Sequence, residues 1–320
     1  MTTPVTLVYS DSTDHQTLDQ FQPLFDAAGA DITFIPFDAS DGQVTPELVA
    51  AIRRTGVALM GYQWGMKDEH SFPPIAQLRQ ALGTQTNLRP IRSLTGIQSI
   101  WDDLDMWIVR EVTEDVYAHL EHETLPGIFE GLKVTTRGAC ERVARAAFEF
   151  ARARGRKKVT TVHKANILKL ADGMFLSVSQ EVAAEYPDIQ HEDVIIDACC
   201  MKLVQAPQQY DVLLCGNLFG NILGDLGAGL VGGPVNSPSI NLGPDSALFT
   251  IGQRGPKAAY ADPLPMLISS LYMLEHLGRD EARAKLGRAM ENAVVAGVVP
   301  KVMGGDADCG TFVAAVQARL

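Results

Sequence analysis

Cysteine, positive charge and long apolar runs are all scarce in this sequence, and each scarcity excludes something. Five cysteines, Cys140, Cys199, Cys200, Cys215 and Cys309, form an odd set with no C-x-x-C pair, which argues against zinc knuckles and a disulfide framework. Lys and Arg number 27 against 38 Asp and Glu, a formal net charge of −11. So acidic a chain lacks the basic surface that nucleic acid or an anionic membrane demands, although a local basic pocket for a small anion stays open. No apolar run approaches the roughly 18 residues of a membrane span. The opening Met1-Thr2-Thr3-Pro4-Val5-Thr6-Leu7-Val8 has no basic region followed by a long apolar one, so no secretory signal is expected. These features together predict a soluble cytoplasmic protein that binds neither nucleic acid nor membrane.

Apolar material is ample. Hydrophobic residues make up 46% of 320 residues and charged ones 20%, which suits two domains at roughly 150 residues each, or one large α/β unit. Val5–Tyr9, Asp31–Phe37 and Val57–Met60 read as strands, separated by helical spacing over Leu18–Ala28 and Pro46–Arg54. That βαβαβ rhythm predicts a parallel sheet covered by helices. Further on, Met106–Glu111, Lys133–Thr136, Lys158–Val162 and Val194–Ala198 are strand-like, and Arg137–Arg154 reads as a long helix. Leu264–Leu277 and Asp280–Ala296 read as two helices parted at Gly278, a plausible C-cap. With no flexible linker in view, a second domain is expected to be inserted in the first.

Several suggestive motifs have ordinary explanations. Gly227-Ala228-Gly229-Leu230-Val231-Gly232 matches G-x-G-x-x-G, but it follows Asn217–Leu226, where Leu218, Ile222, Leu223 and Leu226 have helical spacing. A dinucleotide fingerprint needs those glycines between a strand and a helix, so glycines ending a helix and packing closely are expected instead. His119-Leu120-Glu121-His122 reads as a solvated or hydrogen-bonded pair rather than a metal cluster. Cys199-Cys200 reads as small buried apolar residues.

Other segments place charge where it is costly. Arg79 and Arg89 lie ten residues apart, Arg110 ends the apolar run Met106-Trp107-Ile108-Val109, and Tyr117 follows seven residues later. Lys164 and Asn166 follow Val159–His163, Asp197 ends Val194-Ile195-Ile196, and Asp225 lies one helical turn after Asn221. Arginine forks grip carboxylates in two-point geometry, and paired acidic residues can hold a hard divalent cation. Taken singly, each residue is also explained by an ion pair or a solvated face.

Together these segments resemble the β-decarboxylating dehydrogenases, the family of isocitrate and 3-isopropylmalate dehydrogenases. The resemblance is carried by Asn87-Leu88-Arg89-Pro90, by Val109-Arg110-Glu111-Val112-Thr113-Glu114-Asp115-Val116-Tyr117 and by Val162-His163-Lys164-Ala165-Asn166-Ile167-Leu168-Lys169. It continues in Ile196-Asp197-Ala198 and Asn217-Leu218-Phe219-Gly220-Asn221-Ile222-Leu223-Gly224-Asp225-Leu226, and covers about residues 78 to 250. It implies a two-domain, isopropylmalate dehydrogenase-like α/β fold and a homodimer with shared active sites. The large, cofactor-side domain would span residues 1–90 and 232–320, and the smaller inserted domain 91–231, with the dimer interface and the metal and catalytic residues. Arg79, Arg89 and Arg110 would clamp the carboxylates of a 2-hydroxy acid. Asp225 and Asn221, with Asp197 from the partner subunit, would hold Mg²⁺ or Mn²⁺. Lys164, also from the partner, would assist deprotonation of the substrate hydroxyl, and Tyr117 would return a proton after carbon dioxide leaves. Asn166 would lie near the nicotinamide ribose, and Gly255, Lys257 and Asp262 in the loop for NAD or NADP.

Three departures from the family pattern stand out. The middle residue of its three cation-binding aspartates is Asn221 here, which removes one negative charge from the site. Its Gly-Asp-Gly-Ile-Gly-Pro-Glu loop is replaced by Ser10-Asp11-Ser12-Thr13-Asp14-His15-Gln16, without the glycines that let backbone approach a dinucleotide. Its long cofactor loop gives way to the shorter Phe249–Pro263, with Asp262 in place of the adenine-side asparagine. Both cofactor loops are thus altered while the acid-binding residues remain. Ile75 and Pro73, four and six residues before Arg79, predict an apolar or small substrate side group, isopropylmalate-like rather than isocitrate. The leading expectation is a metal-dependent NAD(P) oxidoreductase that oxidises and decarboxylates such an acid. A cofactor-independent decarboxylase and a catalytically degenerate, carboxylate-sensing subunit remain as alternatives.

Overall fold

The computed structural model describes residues 2–9, 12–39, 42–61, 73–252 and 263–320. The chain divides into two compact units, one of Met1–Gly83, Ser93–Ile100 and Val231–Leu320, the other of Thr84–Arg92 and Trp101–Leu230. The second is therefore an insertion in the first.

The chain opens in the first unit with β1 (Thr3–Tyr9), α1 (Ser12–Ala28), β2 (Ile32–Asp38), α2 (Pro46–Thr55), β3 (Val57–Met60) and α3 (Pro74–Leu82). In α1, Phe21, Leu24, Phe25 and Ala28 are buried at i, i+3, i+4, i+7 spacing, the signature of one apolar stripe. Helix α2 is punctuated at both ends. The Thr45 hydroxyl accepts from the Leu48 amide, Pro46 opens the first turn, and Gly56 closes it at a φ of 72°, where glycine meets no Cβ penalty. Strand β1 pairs in parallel with β2 and β3.

The second unit contains β4 (Thr86–Arg92), β5 (Asp105–Glu111), β6 (Glu121–Leu125), β7 (Ile128–Gly131), α4 (Arg137–Ala153), β8 (Lys158–His163), α5 (Ala171–Ala183), β9 (Gln190–Ile195), α6 (Ile196–Gln205), β10 (Val212–Cys215) and α7 (Asn217–Leu230). Its main strands run in the order β4-β5-β10-β8-β9. Within that order only the β4–β5 pair is antiparallel, with Asn87 opposite Arg110 and Arg89 opposite Ile108. That register places Asn87, Arg89 and Ile91 on the same face as Arg110 and Ile108. The β6–β7 hairpin is exposed throughout. The chain then returns to the first unit with β11 (Ser239–Leu242), β12 (Ala247–Thr250), α8 (Leu264–His276), α9 (Asp280–Val295) and α10 (Cys309–Gln317), where the strand order is β2-β1-β3-β12-β11.

Three expectations need correction. Lys133–Thr136 forms no strand, only a single bridge from Val134 to Asp115. Val194–Ala198 is split, because β9 ends at Ile195 and α6 begins at Ile196, so Asp197 stands in the first turn of a helix rather than at a strand end. Residues 84–90 belong with the inserted unit, because β4 finds its antiparallel partner in β5.

Helix α7 lies close on β4 and β5 because its contact stripe is glycine. A Cβ at Gly220 would meet Arg110 side-chain atoms at 2.6–3.0 Å, one at Gly224 would meet Arg89 at 2.8–3.2 Å, and one at Gly227 would meet Ile91 at 2.8 Å. Gly229 faces open space. Gly220→Ala is therefore expected to cost about 1–3 kcal/mol by overpacking. Gly229→Ala should be neutral or stabilise by up to about 1 kcal/mol through helix propensity. Urea unfolding of both variants checks the pair, and equal effects would show that the stripe is not a contact surface.

Candidate functional site

The glycine stripe of α7 brings a row of polar residues beside two buried arginines. Asn217, Asn221 and Asp225 recur every four residues and share one helix face. Arg110, at the end of β5, is only 4% exposed. Its Nε and Nη2 donate to the Asn217 Oδ1 at 3.1 and 2.6 Å, and its Nη1 donates to the Asn221 Oδ1 at 2.8 Å. The Tyr117 ring lies under the guanidinium, with the centroid 5.3 Å away, a cation–π distance. Both acceptors are neutral amides, and no ion pair neutralises Arg110 among the described residues. Burial accordingly pushes its pKa down, partly offset by Tyr117. Its charge is thus offset by hydrogen bonds to amides and by Tyr117 rather than by an ion pair.

Arg89, on β4, is also buried. Its Nη1 donates to the Asp225 Oδ1 at 2.9 Å, while the Asp225 side chain stays 63% exposed. The Arg89 Nε has no partner among the described residues. Both guanidiniums thus keep unspent binding capacity beside the exposed end of the α7 row.

Lys164 and Asp197 form a separate pair. Lys164 follows β8, its backbone N–H donates to the Asp172 Oδ2 at 2.7 Å, and its Nζ is ion-paired with the Asp197 Oδ1. The lysine hydrogen bond holds the Asp197 carboxyl below its ordinary range. No hydrogen bond or ion pair joins this pair to the Arg110 group among the described residues. Asn166 is exposed in the turn just beyond. Arg79 belongs to the first unit, where its Nε donates to the Asn241 Oδ1 at 2.8 Å. Gly255, Lys257 and Asp262 lie outside the described residues.

Behind Asn217 lies a small cavity of about 20 Å³, lined by Glu111, Glu114, Asp115, Lys133, Cys140 and Asp172 among others, room for about one water. Burial raises the Glu114 carboxyl pKa and pushes the Cys140 thiol up to about 12. Lys133 joins Asp115 at 2.8 Å to Asp172 at 3.5 Å. Sequence reasoning missed this node and missed Asn217. For Asn217 the signal was present, four residues before Asn221. For Lys133 there was none, since a lysine beside an exposed hairpin looks solvated.

The ordinary explanations of the other motifs are consistent with the geometry. Cys199 is fully buried, with its thiol pushed up to about 12 by burial, and Cys200 is half-buried. His122 faces Glu130 at 3.3 Å on the hairpin. Gly227 packs on Ile91, and Gly232 takes a φ of 95°. Within the described residues of one chain, no three His, Cys, Asp or Glu side chains gather as a metal group. Asp225 offers a hard carboxylate donor on α7 for Mg²⁺ or Mn²⁺, whereas the Asn221 Oδ1 one turn earlier accepts from Arg110, and the remaining ligands would have to come from substrate and a second subunit.

The family model for isocitrate/isopropylmalate dehydrogenase matches residues 15–316. A mitochondrial regulatory subunit of the NAD isocitrate dehydrogenase of Dictyostelium discoideum is 39% identical over 98% of this chain and 89% of its own length. A probable mitochondrial NAD isocitrate dehydrogenase subunit alpha of Caenorhabditis elegans is 37% identical over 99% of this chain and 92% of its own. The crystal structure of isocitrate dehydrogenase from Methylococcus capsulatus superposes with a TM-score of 0.90 at 33% identity, covering 100% and 99% of the two chains. The family model, the relatives and the fold place the chain in a class of oxidatively decarboxylating dehydrogenases and their regulatory subunits. The chain belongs to the isocitrate/isopropylmalate dehydrogenase family, among NAD-dependent dehydrogenases and the regulatory subunits built on the same fold. The relatives are named for isocitrate, which does not support the isopropylmalate-like pocket expected from Pro73 and Ile75. Among the described residues, no helix is long and apolar enough to cross a membrane.

The Lys164–Asp197 pair carries a pH prediction. Asp197 has a depressed folded pKa, so its contribution is present above the unfolded pKa and is lost as pH falls through the folded one. Lys164→Met should return the Asp197 carboxyl upward to the ordinary aspartate range, read by carboxyl-carbon NMR titration. An unmoved titration would show that the lysine is not what holds it down.

Proposed function

We propose that the chain binds a 2-hydroxy tricarboxylate of the isocitrate class together with NAD⁺ and Mg²⁺ or Mn²⁺, and oxidises and decarboxylates it. The observation that carries this reading is Arg110, a buried guanidinium held by two amide oxygens and by Tyr117 with no ion pair among the described residues, next to Arg89 with its unpartnered Nε. In an acidic chain, two such buried cations suit a polyanionic substrate. Arg89 and Arg110 grip its carboxylates beside Asp225. When bound, the cation polarises the substrate hydroxyl and carboxylate, and NAD⁺ accepts the hydride. Lys164 takes the hydroxyl proton as hydride leaves the same carbon. The carbon–carbon bond to the neighbouring carboxylate then breaks, its electron pair stays on the remaining carbon, and Tyr117 delivers a proton there.

The site is proposed to be shared. No direct hydrogen bond or ion pair joins Lys164 or Asp197 to Arg110 or Tyr117 among the described residues, and Lys164 and Asp197 of a second subunit are proposed to complete the set around Asp225. That subunit is another copy of this chain or a related one. Asn166 is proposed beside the nicotinamide ribose.

A second reading, a subunit that senses the acid without turning it over, is favoured by Asn221. Its amide oxygen accepts from Arg110, so it is engaged by a cation rather than offered to a metal. The discriminating experiment combines calorimetry of isocitrate and NAD⁺, with and without Mn²⁺, with nicotinamide absorbance during turnover. Reduction of NAD⁺ by isocitrate, with 3-isopropylmalate at least roughly 100-fold poorer, is the expected result. Isocitrate binding without NAD⁺ reduction would favour the sensing reading, and binding of neither would sink both. Arg110→Gln is expected to lower kcat/KM, or affinity in the sensing case, by roughly 10²–10³-fold, the worth of two charge-assisted hydrogen bonds.

A further inference from the structure

Asp115 has a backbone that aspartate rarely adopts. Its φ of 79° and ψ of −150° fall in a region essentially reserved for glycine. The other non-glycine residues with positive φ, Asp31 at 50° and His119 at 51°, have values near the left-handed range that such side chains tolerate. Strain of this kind persists only where the surroundings over-determine it, and here they do. Asp115 is 2% exposed. Its Oδ1 accepts from the Val116 N–H at 2.8 Å, its Oδ2 accepts from the Leu218 N–H at 3.0 Å, and Lys133 Nζ lies 2.8 Å from that same Oδ2. Its backbone N–H donates to the Val134 carbonyl at 2.9 Å.

These contacts join two functional segments. Val116–Ala118 is the single helical turn that carries Tyr117, and Leu218 lies in the first turn of α7, which carries Asn217, Asn221 and Asp225. One carboxylate therefore caps both, satisfying an orphan N–H at each start. Lys133 compensates its charge and reaches on to Asp172, whose other oxygen accepts from the Lys164 N–H.

We propose that Asp115 is a positioning residue for Tyr117, its carboxylate clamping the tyrosine turn to the first turn of α7. The proposal rests on the reading of Tyr117 as proton donor. Glycine at this position would keep the backbone path and release its strain while deleting the clamp, which makes Asp115→Gly the informative variant. Asp115→Asn keeps the side-chain shape and an acceptor but loses the lysine ion pair.

The test compares the unmodified chain and both variants by backbone hydrogen exchange, thermal unfolding and steady-state kinetics with isocitrate, NAD⁺ and Mn²⁺. In Asp115→Gly, exchange at Val116 and Leu218 should rise roughly 10-fold or more while α4 and β8 stay protected, and the melting temperature should hold. kcat should fall roughly 10- to 100-fold, as expected for a misplaced proton donor, with KM within about 3-fold because the arginines are untouched. Asp115→Asn should be intermediate in both readouts. Unchanged exchange at Val116 and Leu218 would overturn the clamp. A global rise in exchange with KM and kcat worsening together would assign Asp115 a purely structural role and overturn the proposal too. If the wild-type chain turns over no hydroxy acid, the functional reading of Tyr117 falls, and the exchange at these two amides still decides whether Asp115 joins the segments.

Discussion

The burial of Arg89 and Arg110 is the constraint on which the inserted unit depends. Removing a guanidinium from water is costly unless its donors are satisfied and its charge is compensated. The fold meets the first demand for Arg110, leaves the Arg89 Nε without a partner among the described residues, and leaves the second partly open. Antiparallel pairing of β4 and β5 puts both arginines on one face, and the glycines of α7 let a helix backbone come near enough for Asn217, Asn221 and Asp225 to reach them. Larger residues at 220 or 224 would hold the helix off and strand the donors. The small-residue stripe and the charge cluster are thus two sides of one solution.

The position of α7 has a second determinant at its start. Packing on glycine allows a helix to slide, because a smooth stripe specifies distance better than register. The Leu218 amide is fixed by Asp115, and Asp115 is fixed in turn by Lys133 and by its bridge to Val134. The polar node therefore anchors the first turn of α7, while the glycine contacts and the arginine hydrogen bonds hold the row against β4 and β5. Buried carboxylates, one lysine and a cavity big enough for about one water make this node rigid only while every donor and acceptor is matched.

Much of the fold was legible from pattern. The alternation of β-branched runs with 3.6-residue spacing marked β1, α1, β2, α2 and β3, since parallel strands and their covering helices are apolar in distinct periods. Where pattern misled, the cause is local. Val194–Ala198 is continuously apolar except at Asp197, yet β9 is an edge strand that pairs with β8 from Gln190 to Ile195, and its polar half adds side-chain hydrogen bonds of Glu192 with Thr160, His191 with Thr161 and Asp193 with His163. An edge strand carries little hydrophobic signal, so the run was centred too late and Asp197 was placed at a strand end. Lys133–Thr136 has β-branched residues but only one bridge, because its role is to deliver Val134 to Asp115 and Thr136 to the start of α4. The arginines, Tyr117, Lys164 and the α7 row were legible through motif resemblance. Asp115 and Lys133 were not, since neither backbone strain nor burial of a lysine leaves a mark in composition or spacing.

Asn221 shows how one atom shifts the balance of the site. A carboxylate there would form a closed ion pair with the buried Arg110, cancelling its charge and adding a strong donor for a hard cation. The amide oxygen satisfies the same N–H at 2.8 Å but leaves the positive charge standing. Cation affinity and anion affinity at adjoining positions therefore trade against each other through a single residue. With asparagine the trade runs toward the anion, and a polycarboxylate gains attraction from Arg110 that an aspartate at 221 would have cancelled. Asp225 already neutralises one of the two arginines while its side chain stays largely exposed. Arg110 is therefore the one of the two arginines without an ion pair among the described residues, and the charge that an anionic ligand would meet on this face.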